Sequence, residues 1–133
     1  MKIDRRVFIG TAAASAILTA PMVRAAGHGK PRVVVVGGGA GGATAARYIA
    51  KDSNGEISVT LIEPTRRYYT CFFSNLYLGG FKQIEDIGHS YGTLAAGGVN
   101  VVHDWAIGVD RDAKTVSLAG GGTVGYDKLI LSP

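Results

Sequence analysis

The stretch RVVVVGGGAGGATAA, from Arg32 to Ala46, constrains this chain more than any other. Residues 33–36 are four consecutive valines, β-branched side chains that pack well on a pleated surface. A strand apolar on both faces belongs to a parallel sheet covered by helices. The run ends directly in G-x-G-x-x-G at Gly37, Gly39 and Gly42, and the helix-forming residues 43–50 follow. The three glycines do different things. Gly37 turns the chain, Gly39 lets a diphosphate approach the backbone, and Gly42 lets the helix close on the strand. The helix start offers unpaired N–H groups and a positive dipole end to the phosphates. An alternating strand over residues 57–62 follows, and Glu63 closes it about 20 residues beyond Gly42, where a ribose-binding acid belongs. Strand, turn, helix and acid together predict a dinucleotide site; a glycine turn alone would be a structural feature only.

Length and charge set the outer bounds. A chain of 133 residues makes one domain at most, and a doubly wound fold with two halves needs more. Most of the formal charge of +4 comes from Lys2, Arg5, Arg6 and Arg24 against Asp4. No basic patch interleaved with aromatics remains beyond them, which argues against nucleic acid as a partner.

The first 25 residues read as an export signal. A charged start, Asp4-Arg5-Arg6-Val7-Phe8-Ile9, precedes a modestly apolar run over residues 10–20, and Pro21 breaks it. Val23-Arg24-Ala25 offers small residues for cleavage, and the paired arginines resemble a twin-arginine signal. An ordinary secretory signal is the alternative. The apolar run is too short to span a membrane, so no transmembrane segment is expected. The expected location is the periplasm, reached by a route that carries folded proteins with their cofactor. Residues 26–31 read as a flexible linker, with His28 solvated or, alternatively, a metal ligand.

After Pro64 comes an aromatic-rich loop, TRRYYTCFFSNLYLGG, over residues 65–80. It leaves the carboxyl end of a strand, where open α/β sheets bind ligands. It holds Cys71, the single cysteine of the chain, which therefore has no partner within it for a disulfide or a redox pair. The segment from Glu63 to Cys71 spans at most ~26–29 Å when extended, enough to run from a ribose to the far end of a dinucleotide. The competing reading of Cys71 is a small buried hydrophobe.

These residues carry a resemblance. The glycine turn, Ile62-Glu63-Pro64, Tyr68-Tyr69-Thr70-Cys71 with Ser74-Asn75, Val101-Val102-His103-Asp104 and Gly125-Tyr126-Asp127 are similar to the flavoprotein subunit of flavocytochrome c sulfide dehydrogenase. The similarity covers nearly all of residues 32–133, but only the N-terminal part of that family's chain. It implies a glutathione-reductase-like flavoprotein fold: α/β, with a Rossmann-like FAD-binding βαβ unit and a small antiparallel β insertion, incomplete here. It implies FAD gripped at Gly37, Gly39, Ala40, Gly41, Gly42 and Glu63, with Cys71 joined by a thioether to the flavin 8α-methyl. The activity implied is oxidation of sulfide, with electrons passing through FAD to a c-type cytochrome subunit. Trp105-Ala106 then flanks the adenine, unless its role is packing.

The remaining stretches are less chemical. Apolar residues at Ile84, Ile87, Tyr91, Leu94 and Ala95 predict a helix over residues 84–96, capped by Gly97-Gly98. His89 then sits on a surface helix and His103 at the end of a strand over residues 99–102; a catalytic base is the alternative for each. Residues 107–109 and 115–118 predict short strands around a turn. Gly120-Gly121-Gly122 lacks a strand-to-helix setting and reads as a hairpin turn. Residues 126–132 predict a last buried strand. The expectation is therefore an N-terminal piece of a longer flavoenzyme, with a quinone-reducing relative and a non-catalytic nucleotide-binding fragment as the rivals.

Overall fold

A computed structural model describes residues 29–133. The expected signal peptide, its Arg5-Arg6 pair, its cleavage site and His28 lie outside the described residues.

The valine run forms β1 (Arg32–Val36), an inner strand of a four-stranded parallel sheet. After it comes α1 (Ala40–Asp52), which returns the chain to β2 (Ser58–Ile62), paired in parallel with Val33 opposite Val59 and Val36 opposite Ile62. β3 (Arg67–Tyr69), a single 3-10 turn at Cys71–Phe73 and α2 (Ser74–Leu78) follow, then β4 (Gly88–Ser90) and α3 (Gly92–Ala96). β5 (Val99–Val102) joins the outer side of β2. β6 (Ala106–Asp110), β7 (Thr115–Leu118) and β8 (Thr123–Gly125) make a separate antiparallel sheet. β9 (Lys128–Leu131) then pairs with the free side of β1, giving the order β5-β2-β1-β9.

Successive residues of a strand face opposite sides, so one sheet feeds two cores. Val33, Val35, Val59, Leu61 and Val99 pack with Ala46 of α1 and with Tyr91. Val34 and Ile62 face the other way, onto Val116, Leu118, Val124 and Tyr126. The layers are therefore helices, parallel sheet and antiparallel sheet. Val34, Val35 and Leu61 have no exposed surface, each worth about 1.5–3 kcal/mol of burial. One buried group does not follow the pattern: the Thr60 hydroxyl, in mid-sheet, has no hydrogen-bond partner among the described residues.

Three sequence expectations need correction. Residues 84–96 are not one helix: a 3-10 turn at Ile84–Ile87 gives way to β4, and only α3 is helical. The cause is pairing, since Tyr68 lies opposite His89 and Tyr69 opposite Gly88 in a two-stranded antiparallel ladder. Gly88 suits that contact, because a Cβ there would stand 2.8 Å from Arg67 Nε and 2.9 Å from the Tyr69 ring. His89 is accordingly an exposed strand residue. The last strand is shorter than expected and not buried: none of its four residues is fully covered, and Leu131 is exposed. The Gly120-Gly121-Gly122 hairpin stands as expected, between β7 and β8.

Candidate dinucleotide site

The carboxyl ends of β1, β2 and β5 meet at the glycine turn. Gly37 leaves β1 with φ +103, a conformation that other residues enter only with strain. Its N–H donates to the Ile62 carbonyl (2.9 Å), and a Cβ on it would overlap the Ser132 carbonyl oxygen. A Cβ on Gly42 would overlap the Gly37 carbonyl oxygen, so the helix start lies hard against the turn. Gly39 differs from both: a Cβ there would meet nothing within 4 Å. The backbone is thus closed behind Gly37 and Gly42 and open at Gly39.

Gly39 is also the N-cap of α1, and it has no side chain to cap the helix. No acidic residue lies in the first turn, Ala40-Gly41-Gly42, to neutralise the positive end of the helix dipole. The turn opens onto a cleft of about 300 Å³ lined by Gly37, Gly38, Gly39, Glu63, Pro64, Thr65, Trp105 and Ala106. The volume is at the lower end of small-molecule sites. A nucleotide diphosphate fits the donor set, because the open backbone and the uncapped helix start both favour an anion.

Glu63 is the anchor of the site. Its N–H donates to the Val102 carbonyl (2.9 Å), which ties the ends of β2 and β5 together. One carboxylate oxygen accepts from the Gly38 N–H (2.7 Å); the other accepts from the Thr65 N–H (2.9 Å) and hydroxyl (2.6 Å). Burial pushes the carboxyl pKa up, but the Thr65 and Gly38 hydrogen bonds, with His103 nearby, outweigh it and hold the group below its ordinary value. A carboxylate has about four lone-pair positions, so Glu63 retains acceptor capacity toward a ribose while bracing the turn.

Three further side chains brace the site, and of these only His103 and Asp104 stood out in sequence, neither for this role. The Tyr91 hydroxyl donates to the Gly38 carbonyl (3.0 Å) from a buried ring. His103 Nδ1 stands 3.1 Å from the Glu63 carbonyl, and its ring lies 5.9 Å from that of Tyr91 at 55°. Asp104 accepts from the N–H groups of Trp105 (2.7 Å) and Gly120 (3.0 Å), fixing the β7–β8 hairpin beside the start of β6.

Of the residues singled out by sequence, Gly37, Gly39, Glu63 and Ala106 line one cleft, and Ala40, Gly41 and Gly42 form the helix turn at its back. Cys71 is not among the lining residues. It opens the 3-10 turn after β3, exposed to solvent, so it is not a buried hydrophobe in the described residues. Its carbonyl accepts from the Ser74 hydroxyl (2.9 Å), while the Thr70 hydroxyl caps the turn at Phe72 N–H (3.3 Å). Among the described residues no group of three His, Cys, Asp or Glu side chains could hold a metal, and no helix is long and apolar enough to cross a membrane.

Comparison with known proteins gives the family. The sequence family described as pyridine nucleotide-disulphide oxidoreductase matches residues 31–133. A curated relative, the sulfide dehydrogenase [flavocytochrome c] flavoprotein chain of Chlorobaculum thiosulfatiphilum, is 57% identical over 47 residues, which cover 35% of this chain and 96% of that sequence. The sulfide:quinone oxidoreductase of Aquifex aeolicus superposes with a TM-score of 0.68 at 27% identity, over 76% of this chain and 24% of its own. The water-forming NADH oxidase of Lactobacillus brevis gives 0.68 at 27%, over 77% and 25%. The chain therefore spans about a quarter of the length of these solved relatives.

Proposed function

The chain belongs to the pyridine nucleotide-disulphide oxidoreductase family, and from that membership we propose that residues 32–133 grip the ADP half of FAD in an exported, sulfide-oxidising flavoprotein. The observation that carries the nucleotide assignment is the cleft where open Gly39 backbone, an uncapped α1 and the Glu63 carboxylate converge. The 57% match to a sulfide dehydrogenase flavoprotein supports sulfide as substrate and a c-type cytochrome subunit as electron acceptor.

FAD, when bound, supplies the acceptor for electrons taken from sulfide. This chain's residues bind and orient it. The N–H groups at Gly39, Ala40 and Gly41 receive the diphosphate, Gly42 lets the helix approach, and Glu63 accepts from the ribose hydroxyls. Ala106, with Trp105, borders the adenine. Cys71 would hold the flavin through a thioether at its 8α-methyl carbon, and its exposure leaves the sulfur accessible. The Arg5-Arg6 pair directs export to the periplasm, with cleavage after Ala25.

Acid denaturation of the full-length protein tests the tether. Flavin is expected to stay with wild-type polypeptide and to be released from Cys71→Ser. Release from wild type, or retention by the variant, overturns the assignment. The similarity to the Aquifex aeolicus enzyme favours a second reading, in which electrons pass to quinone at a membrane surface. Sulfide-dependent reduction of cytochrome c but not of a soluble quinone, by full-length protein with its partner, decides for the first.

A further inference from the structure

Gly38 is the unassigned position of the G-x-G-x-x-G turn, and side chains hold it on both sides. Two side chains from distant parts of the chain grip its two sides: Glu63 accepts from its N–H at 2.7 Å, and the Tyr91 hydroxyl donates to its carbonyl at 3.0 Å. A Cβ on Gly38 would stand 2.6 Å from the Tyr91 hydroxyl oxygen and 2.8 Å from Glu63 Cγ. Position 38 therefore leaves no room for a side chain because both partners come so close.

The two grips act on different peptide units. The Gly38 N–H belongs to the unit joining residues 37 and 38, and the Gly38 carbonyl to the unit joining 38 and 39. Flanking units are held by backbone alone, through Gly37 N–H to Ile62 and Ala43 N–H to the Gly39 carbonyl, both at 2.9 Å. In a planar trans peptide the C=O and the following N–H point in opposite directions. A hydroxyl that holds the Gly38 carbonyl therefore turns the Gly39 N–H away from Tyr91. Tyr91 lies outside the cleft, whereas Gly39 lines it.

We propose that Tyr91 is a positioning residue for diphosphate recognition: its hydroxyl fixes the 38–39 peptide so that the Gly39 N–H is presented to the bound dinucleotide. This rests on the FAD reading of the cleft and adds to it a residue 53 positions from the turn. The hydroxyl is well placed to do so. The ring is buried between α1 and the sheet, tilted against His103, and the phenol pKa is raised by burial and by the Glu63 charge, so it remains a donor through the neutral range. Preorganised N–H donors gain affinity because no reorientation is needed when the anion arrives.

The test uses the full-length protein carrying Cys71→Ser, so that flavin is held without a covalent bond. Tyr91→Phe keeps the ring and removes only the hydroxyl. Its FAD dissociation constant is expected to rise about tenfold, corresponding to ~1.4 kcal/mol, and the ³¹P resonances of the bound diphosphate are expected to shift. Tyr91→Leu separates packing from hydrogen bonding. If the ring alone matters, Phe restores the affinity lost in Leu; if the hydroxyl matters, Phe does not. Unchanged affinity in Tyr91→Phe, or weaker binding with unmoved ³¹P resonances, overturns the proposal. A Cys71→Ser protein with native Tyr91 that takes up no FAD instead overturns the FAD reading of the cleft.

Discussion

The glycine turn at residues 37–42 and the aromatic segment at residues 71–81 are built by opposite means. Around the turn, hydrogen bonds arrive from Ile62, Glu63 and Tyr91, and Ser132 donates its N–H to Val36 (2.8 Å). The aromatic segment is held by its own neighbours: Gly79 N–H to Asn75, Phe81 N–H to Leu76, Ser74 hydroxyl to Cys71. Most of its apolar side chains face outward, with Phe72 at 70%, Leu78 at 81% and Phe81 at 82% exposure, while Leu76 is half-buried. The lesson is one of coupling. A change at the turn is felt by the whole sheet, whereas a change on the segment leaves the fold alone and acts only on what the segment touches.

The largest effect should come from setting two glycines of the turn against each other. Gly37→Ala adds a Cβ at positive φ and against the Ser132 carbonyl, and is expected to destabilise by about 3 kcal/mol or more. Gly39→Ala meets open space and should change stability by less than about 1 kcal/mol while weakening FAD retention. Urea unfolding of both variants checks this; equal losses would erase the distinction between the closed and open sides of the turn.

Thr60→Val is the next test, because it relieves a buried, unpartnered hydroxyl within β2, one of the strands that support the turn. A gain of about 1 kcal/mol is expected in the same unfolding experiment. A loss would mean that the hydroxyl is satisfied in solution.

A smaller effect belongs to the opposite end of the sheet, where Arg32 and Asp127 join β1 to the start of β9 at 3.0 Å. Hydrogen bonds from Arg32 lower the Asp127 carboxyl from 3.8 to about 2. A depressed carboxylate pKa stabilises the fold above the ordinary value and loses that contribution as pH falls through the depressed one. Thermal stability should therefore decline between pH 3.8 and about 2, and Asp127→Asn should flatten part of that slope. Because the pair is exposed, the change is modest.

The smallest effect is expected on the aromatic segment. Leu78→Ser and Phe81→Ser should each leave unfolding free energy within about 0.5 kcal/mol of the original. A loss above about 1.5 kcal/mol in either would show that the segment is coupled to the core after all.

The same contrast explains what the sequence disclosed. Residues 33–42 were legible because strand, turn and helix start follow one another and local geometry demands glycine at fixed spacing. Glu63 was legible for a related reason, since one βαβ unit sets its distance from the turn. Tyr91 was not, because nothing local links it to Gly38; only the packing of α3 against the sheet brings them together. The helix expected over residues 84–96 failed for a similar cause. Its apolar spacing is real, but Ile87 accepts from Thr70 N–H (2.9 Å), and the pairing of β4 with β3 overrides the periodicity. Cys71 stood out in sequence by its singularity and by family resemblance, and neither conveys the exposed turn on which it sits.

The contact between Gly37 and Ser132 also imposes an order in time. The turn leaves the ribosome about 95 residues ahead of the strand end that backs it, roughly 5–20 s at ordinary rates of synthesis. Until β9 docks, the Val36 carbonyl lacks its Ser132 donor, and the Gly37 N–H needs β2 in place as well. The nascent valine run therefore waits with one edge uncovered, exposed to pairing with the wrong strand. The turn that frames the cleft is therefore complete only once the residues after β9 are in place.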